Sequence, residues 1–290
     1  MLPARNTSRS DPPALLGEAL RAGVGRQLCR QVMPVYSVGS DEKRRMIMSG
    51  PIYAILSDIH GNLEGLTAVL KDAADQHVTQ YVCLGDIVGY NANPIECLER
   101  IRELGCVTVS GNHDHYCSFD DDLTGFHPLA ADAVDWTRRQ LSADQQKFLA
   151  ELPMVQRVEN FTIVHSTLDM PEMWGYVFES LEAEASFNYQ TTTVCFYGHT
   201  HVPLAFEKAD GVTGGVYERL KISLEKKYLV NVGSIGQPRD GNACAAYGIY
   251  DMEKKEIQLR RVPYDIAATQ KKIRKAGLPE RLAARLAIGR

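Results

Sequence analysis

The stretch Ile52-Tyr53-Ala54-Ile55-Leu56-Ser57-Asp58-Ile59-His60-Gly61-Asn62 decides how the rest of the chain is read. Its first six residues are an apolar, partly β-branched run, too short for a helix and suited to a buried strand, and Asp58 to Asn62 then form a loop. An amphipathic pattern over 63–76 follows and predicts a helix. Tyr81-Val82-Cys83-Leu84 reads as a second strand. The run Asn93-Pro94-Ile95-Glu96 reads as a helix start, with Asn93 as cap and Pro94 in the first turn, where its missing N–H costs nothing. That helix should continue to Leu104 and stop at Gly105. A third strand over 107–110 completes a β-α-β-α-β opening, which implies parallel strands with right-handed crossovers.

Beyond this opening the pattern predicts a helix over 129–141 and a second one started by the capping box Ser142-Ala143-Asp144-Gln145. After Pro153 the texture changes to short strands. Residues 154–158 and 161–165 read as a hairpin around Glu159-Asn160, and further strands are expected over 193–197, 228–232, 245–251 and 256–262. Two helical segments close the chain, the last after Pro279. Strands from both halves predict a mixed α/β (α+β) domain over 49–290, built as a four-layer α/β/β/α sandwich with two stacked mixed sheets.

Residues 1–48 have a different character, with Pro, Arg and Ser and only weak periodicity. Glu18 interrupts the one candidate for a signal-peptide core, and Asp11, Glu18, Asp41 and Glu42 count against a transit peptide. The expectation is an N-terminal extension, disordered or loosely helical, with Met46 and Met48 as alternative starts of the natural product.

The chain has 290 residues, 44% of them hydrophobic, which is enough to bury a sizeable core. A net charge of -4 creates no strong field of either sign, so an electrostatic grip on nucleic acid is not indicated. No apolar run approaches the roughly 20 residues of a membrane-spanning helix. The seven cysteines include no C-x-x-C pair, and their odd number precludes a full disulfide framework, so a reducing cytoplasm fits best.

Five segments carry chemistry: Asp58-Ile59-His60, Gly85-Asp86, Gly111-Asn112-His113-Asp114, His165 and Gly198-His199-Thr200-His201. Each is weak alone, but all follow the C-terminal end of a predicted strand, where α/β proteins gather their sites. Five of the eight histidines fall in these loops. Carboxylate oxygen and imidazole nitrogen suit Mn, Fe, Zn or Co, and the absence of a thiolate argues against a structural zinc cluster.

In order and composition this set resembles the signature of the calcineurin-like metallophosphoesterase superfamily: D-x-H, G-D, G-N-H-D/E, H, then G-H-x-H. The resemblance implies that Asp58, His60 and His201 hold one divalent metal ion, that Asn112, His165 and His199 hold a second, and that Asp86 bridges the two. Manganese is favoured, with Fe, Zn, Ni and Co also compatible. The implied activity is hydrolysis of a small phosphate ester, such as a nucleotide, by a phosphodiesterase or phosphomonoesterase. A metal-bridging hydroxide is the nucleophile, His113 protonates the leaving oxygen, and Asp114 orients the His113 ring and keeps it protonated. Ser110 stands where protein phosphatases of the superfamily carry an arginine, which argues against a phosphoprotein substrate. Two other readings remain: a dinucleoside polyphosphate hydrolase, which differs only in its pocket, and a non-catalytic scaffold, against which the filled motif positions count.

The run Asn231-Val232-Gly233-Ser234-Ile235-Gly236-Gln237-Pro238-Arg239 resembles a loop of the small bacterial and archaeal phosphodiesterase branch. Arg239 either holds a substrate phosphate or packs beside the site. Asn62 either hydrogen-bonds near the metals and substrate or caps the helix after it. Residues 170–176, with Trp174 and Tyr176, form either an apolar wall for a leaving group or an ordinary packed loop. Glycines at 61, 85, 111 and 198 are explained by sharp turns where strand becomes loop. Surface or structural roles are expected for His77, His115 and His127.

Overall fold

Alternation along the strands sorts their side chains onto two faces. The structure, a computed structural model, describes residues 50–124 and 126–290. The extension expected over 1–48, with its alternative starts, lies outside the described residues. Strand β1 (Ile52–Leu56) sends Tyr53 and Ile55 to one face and Ala54 and Leu56 to the other. It is followed by helix α1 (Leu63–Asp75), β2 (Gln80–Cys83), α2 (Pro94–Leu104) and β3 (Val107–Thr108), and the three strands pair in parallel as expected. Pro94 does open α2, and Gly105 ends it in the left-handed conformation at φ 57°. Asn93 does not cap it: the side-chain amide donates to Glu96 Oε1 at 2.8 Å instead of accepting a backbone N–H.

Helices α3 (Asn112–Ser118), α4 (Pro128–Gln140) and α5 (Ala143–Ala150) come next, the last with the capping box at Ser142 and Gln145. The hairpin of β4 (Val155–Val158) and β5 (Phe161–Val164) leads through a 3-10 turn at Pro171–Met173 and α6 (Ser180–Tyr189) to β6 (Val194–Tyr197). Then follow β7 (Ala205–Lys208), β8 (Val212–Gly215), β9 (Arg219–Lys221), β10 (Lys227–Asn231), β11 (Ala245–Asp251) and β12 (Glu256–Val262). Helices α7 (Ile266–Lys275) and α8 (Glu280–Leu286) close the fold.

The strands form two six-stranded mixed sheets, ordered β3-β2-β1-β11-β12-β9 and β4-β5-β6-β10-β7-β8. Between them lies one apolar layer, in which Tyr53, Ile55, Val82 and Leu84 of the first sheet meet Phe161, Ile163, Phe196 and Val230 of the second. The opposite face of the first sheet packs Ala54, Leu56 and Tyr247 against Leu66 and Val69 of α1 and Leu98 and Ile101 of α2. The opposite face of the second packs Val164, Cys195 and Tyr197 against Ala183 and Phe187 of α6. This is the expected four-layer sandwich. Among the described residues no helix is long and apolar enough to cross a membrane, and six cysteines are free thiols.

Candidate metal centre

The loops that leave the strand ends continue the sheet's hydrogen bonding before they separate. Asp58 N–H donates to the Gly85 carbonyl at 3.1 Å, His60 N–H to that of Asp86 at 2.8 Å, and Gly61 N–H to that of Ile87 at 2.9 Å. From the other side, Ile235 and Gly236 N–H donate to the carbonyls of Ser57 and Asp58, and Gly198 N–H to that of His165. Five loops from both sheets are therefore tied backbone to backbone, which fixes the side chains they carry. Asn231 adds a staple, its amide donating to the Gly198 carbonyl at 2.6 Å and to Thr200 Oγ1 at 3.0 Å.

The structure brings together every residue the motif reading selected as a metal ligand. Ligand atoms of Asp58, His60, Asp86 and His201 all lie within 4.8 Å of one another, as do those of Asp86, His165 and His199, so the two groups share Asp86. Asn112 Oδ1 lies 3.2 Å from His165 Nε2. All of these side chains are buried.

The chemistry of the donor set fits divalent cations. Each of the four rings turns one nitrogen to a main-chain carbonyl, which can only accept, so that nitrogen carries the proton and the other keeps its lone pair. His60 Nδ1 faces Val88 O at 3.1 Å, His165 Nδ1 faces Leu84 O at 2.8 Å, and His201 Nδ1 faces Gln237 O at 2.6 Å. His199 is turned the other way, with Nε2 at 2.9 Å from Trp174 O, so its Nδ1 is free to bind. His60 Nε2 and His201 Nε2 then stand 3.1 Å apart with no proton between them. Two lone pairs at that distance repel unless a cation accepts both, and the carbonyls behind the rings are the orienting partners usual for metal-binding imidazoles.

Backbone strain collects at the same place. Asp58, His60, Asp86, His199 and His201 all have positive φ, between 49° and 68°. A left-handed conformation costs a residue with a Cβ roughly 1–2 kcal/mol, and such outliers persist where function requires the geometry. The electrostatics agree. Burial pushes His60 well below its ordinary pKa and His199 down to about 3, leaving both neutral and able to donate lone pairs. Burial also lowers His165, but the Asp86 carboxylate overturns this and raises it to about 9. Positive charge is thus favoured where His165 Nε2 faces Asp86 Oδ2 at 3.4 Å, and a cation bound there would take the place of the proton and the use of the Nε2 lone pair.

Two expected roles are corrected by the geometry. The Asp114 carboxylate does not touch the His113 ring; it accepts N–H bonds from Ile87 at 2.9 Å, Val88 at 3.2 Å and Gly111 at 3.2 Å, and so shapes the loop that presents Asp86. Three backbone donors outcompete a ring that this carboxylate would have to turn away to reach. Without that partner, burial pushes His113 down to about 4, so Asp114 does not keep it protonated. Asn62 is not a substrate contact either. Its Oδ1 caps α1 by accepting from Gly65 N–H at 3.0 Å, while its Nδ2 donates to Gly236 O at 3.1 Å, and the side chain is wholly buried.

His113 itself sits in the cluster, its N–H donating to Asp86 Oδ1 at 2.8 Å and its ring 4.8 Å from that of His60. Arg239 lies half-buried beside the centre, with Nη2 3.4 Å from Tyr90 Oη. Tyr176, half exposed, stacks on the His199 ring at 4.3 Å, which puts an aromatic surface at the open side of the site. His127 caps α4 by accepting from Leu129 N–H, His115 pairs with Asp121, and His77 is exposed. The turn explanation fails for Gly111 and Gly198, neither of which has positive φ; they are glycine because a Cβ would lie 2.2 Å from Asp86 Oδ1 at the first and 2.2 Å from Ser57 Oγ at the second. Sequence reasoning overlooked Gly89 and Tyr90. Tyr90 packs between His60 and His113, at 4.7 and 4.3 Å, and a Cβ on Gly89 would lie 2.4 Å from His113 Nδ1. Their one visible signal was position, just after Gly85-Asp86 at a strand end.

Residues 52–255 match the family described as the calcineurin-like phosphoesterase superfamily domain. An uncharacterized protein of Methanocaldococcus jannaschii is 40% identical over 244 residues, which take in 82% of this chain and 98% of the relative. Among solved structures, a metallophosphoesterase from Sphaerobacter thermophilus is 38% identical with a TM-score of 0.74, covering 83% of this chain and 100% of its own. A hypothetical protein from Pyrococcus horikoshii shares the fold at 20% identity and a TM-score of 0.70, covering 83% of this chain and 99% of its own.

Proposed function

The chain belongs to the calcineurin-like phosphoesterase superfamily and is a metallophosphoesterase; we propose that it hydrolyses a small phosphate ester at the centre around Asp86. In this reading Asp58, His60 and His201 hold one divalent cation, Asn112, His165 and His199 hold the second, and Asp86 serves both. Two such cations, when bound, supply charge for the phosphoryl oxygens and lower the pKa of a water molecule toward neutrality, so that a nucleophile exists at pH 7. Manganese is the metal we favour, and the free thiols suit a reducing cytoplasm.

The protein's own groups carry the remaining work. Arg239 offers a guanidinium to a phosphoryl oxygen from the side of Tyr90. His113, anchored through its N–H to Asp86, is the group we assign to protonate the leaving oxygen. A phosphate anion arriving beside the ring favours the imidazolium and so offsets the depression that burial causes. Tyr90 packs the ring on one side, which limits its rotation.

The observation that most supports this reading is the convergence of four imidazole lone pairs on Asp58 and Asp86, with each ring's other nitrogen committed to a carbonyl. The test is metal-stripped enzyme reloaded with manganese, zinc or iron and assayed on mono-, di- and polyphosphate esters, for wild type and His113→Ala. Activity should return with metal, and the substitution should lower kcat on alkyl phosphates by about 100-fold or more but much less on p-nitrophenyl esters, whose leaving group needs no proton. Equal losses on both classes would remove His113 from the acid role.

A further inference from the structure

We propose that the substrate carries a second phosphoryl group, remote from the bond that is broken, and that arginines of α8 bind it. This rests on the phosphoesterase reading above and adds to it the class of substrate. A cavity of about 590 Å³ opens beside the metal centre, walled by Tyr90, Tyr176, Arg239, Arg281 and Arg285. The two tyrosines are also the rings that pack on His113 and His199, so the cavity and the metal centre share walls. A ligand whose phosphoryl group sits at Asp86 extends into this space.

The far wall is unusual in its charge. Arg281 and Arg285 stand one helical turn apart on α8, while Leu282, Ala283 and Leu286 on its other face pack into a cluster with Ile273 and Ala133. Like charges at this spacing destabilise a helix. Arg239 comes from the other side, and burial together with the guanidiniums of Arg239 and Arg281 lowers the pKa of Arg285. Among the described residues none of these three arginines pairs with an aspartate or glutamate, whereas Arg260, Arg261 and Arg274 pair with Asp72, Asp240 and Glu280.

The arrangement is held in place by backbone. Gly241 N–H, two residues beyond Arg239, donates to the Gly289 carbonyl at 2.9 Å, which ties the turn after α8 to the substrate loop. Arg285 Nε donates to the main-chain oxygen of Arg290, leaving its terminal nitrogens for another acceptor. Planar guanidiniums that converge without an aspartate or glutamate among them match the oxygens of a phosphoryl group, which accepts paired N–H bonds. Arg281 and Arg285 lie outside residues 52–255, so the superfamily's shared motifs do not include them.

The experiment uses manganese-loaded enzyme and two chromogenic esters with the same leaving group and scissile bond: thymidine 5′-(p-nitrophenyl phosphate) and its 3′-phosphorylated counterpart. The 3′-phosphorylated ester should show kcat/KM higher by about tenfold or more, expressed mainly in KM, as expected for charge-assisted bonds made equally in ground and transition states. In R281A and R285A that ratio should fall toward one, with R281K retaining part of it. Arg281 is exposed, so R281A tests the idea even if R285A folds poorly. A wild-type ratio near one, or a ratio that neither substitution alters, overturns the second-phosphoryl site while leaving the phosphoesterase reading in place. Failure to release p-nitrophenolate from either ester, or from p-nitrophenyl phosphate and bis(p-nitrophenyl) phosphate, overturns both.

Discussion

Gly89→Ala should damage the protein largely through His113, and a double-mutant cycle can isolate that share of the cost. Gly89 has φ 88°, and a Cβ placed on it would lie 2.4 Å from His113 Nδ1 and 2.9 Å from its Cγ. Ordinary contact begins near 3.5 Å, so the ring would have to retreat by about 1 Å. It has little room, with Tyr90 at 4.3 Å, His60 at 4.8 Å and Phe126 at 6.4 Å between ring centres. Two penalties combine: about 1–2 kcal/mol for a Cβ at positive φ, and about 1–3 kcal/mol for overpacking a buried ring. In His113→Ala the second should vanish, because no ring remains to collide with. Denaturant unfolding of the wild type, both single variants and the double variant should therefore give Gly89→Ala a cost of about 2–5 kcal/mol alone and about 1–2 kcal/mol in the His113→Ala background, a coupling well above the few tenths expected of independent sites. Kinetics supply a second reading, since a displaced His113 should lower kcat on alkyl phosphates as the His113→Ala variant does. If the two costs were equal within error, the ring would not be what requires glycine at this position.

Asp86→Asn should lower the metal content of both sites together, and elemental analysis finding two retained ions per chain would rule out its shared role. His77→Gly should raise stability by about 0.5–1 kcal/mol: His77 follows α1 in the left-handed region at φ 58°, with its N–H on Ala74 O and the Val78 N–H on Ala73 O, a helix end that favours glycine. Thermal unfolding checks this, and a lower Tm would count against it. Asp72 joins α1 to β11 and β12 through Tyr247 Oη at 2.7 Å and two bonds from Arg260. Burial alone would raise its pKa, but the bonds from Arg260 and Tyr247 overturn this and hold it below the ordinary 3.8. Its contribution is therefore present above the unfolded pKa and is lost as pH falls through the folded one. Asp72→Asn should cost about 1–2 kcal/mol at pH 7 and progressively less below pH 4, and a cost constant down to pH 3 would contradict the ion pair.

The elements that could be read from sequence are those whose own residues dictate them. Ile52 to Leu56 is apolar on both faces because both faces are covered, and Pro94 and Gly105 punctuate α2 by backbone restriction alone. The cluster around Asp86 was legible because aspartate and histidine are seldom gathered at strand ends without a reason. What escaped depends on partners distant along the chain. Strands β7, β8 and β9 are three or four residues long and acquire their identity from the strands they pair with, β7 from β10, β8 from β7 and β9 from β12; Gly214 and Gly215 carry no strand signal at all. Helix α6 buries only Ala183, Ser186 and Phe187 and leaves Leu181 exposed, so its periodicity is faint. Asp114 looked like a partner for the adjacent His113, yet its acceptors are filled by amides 26 and 27 residues away. Arg281 and Arg285 resemble the solvated charges of any surface helix until the Gly241 to Gly289 contact brings them beside Arg239.

The same geometry explains why the centre resists relaxing into a less strained form. Freed of its neighbours, each of the five clustered residues at positive φ would gain by returning to an ordinary conformation, and the facing nitrogens of His60 and His201 would separate. Neither happens, because the strain is distributed over loops that share hydrogen bonds: moving Asp58 breaks its bond to Gly85, and moving His199 breaks those it makes to Asp58. Asn231 closes the circuit by holding Gly198 and Thr200 at once while its own Oδ1 accepts from Gly233. Geometry at the candidate metal centre is therefore set by the backbone network rather than by the side chains' own preferences. A cation that fits this cage binds without a conformational cost, and one that needs a different arrangement must break bonds on both sheets to obtain it.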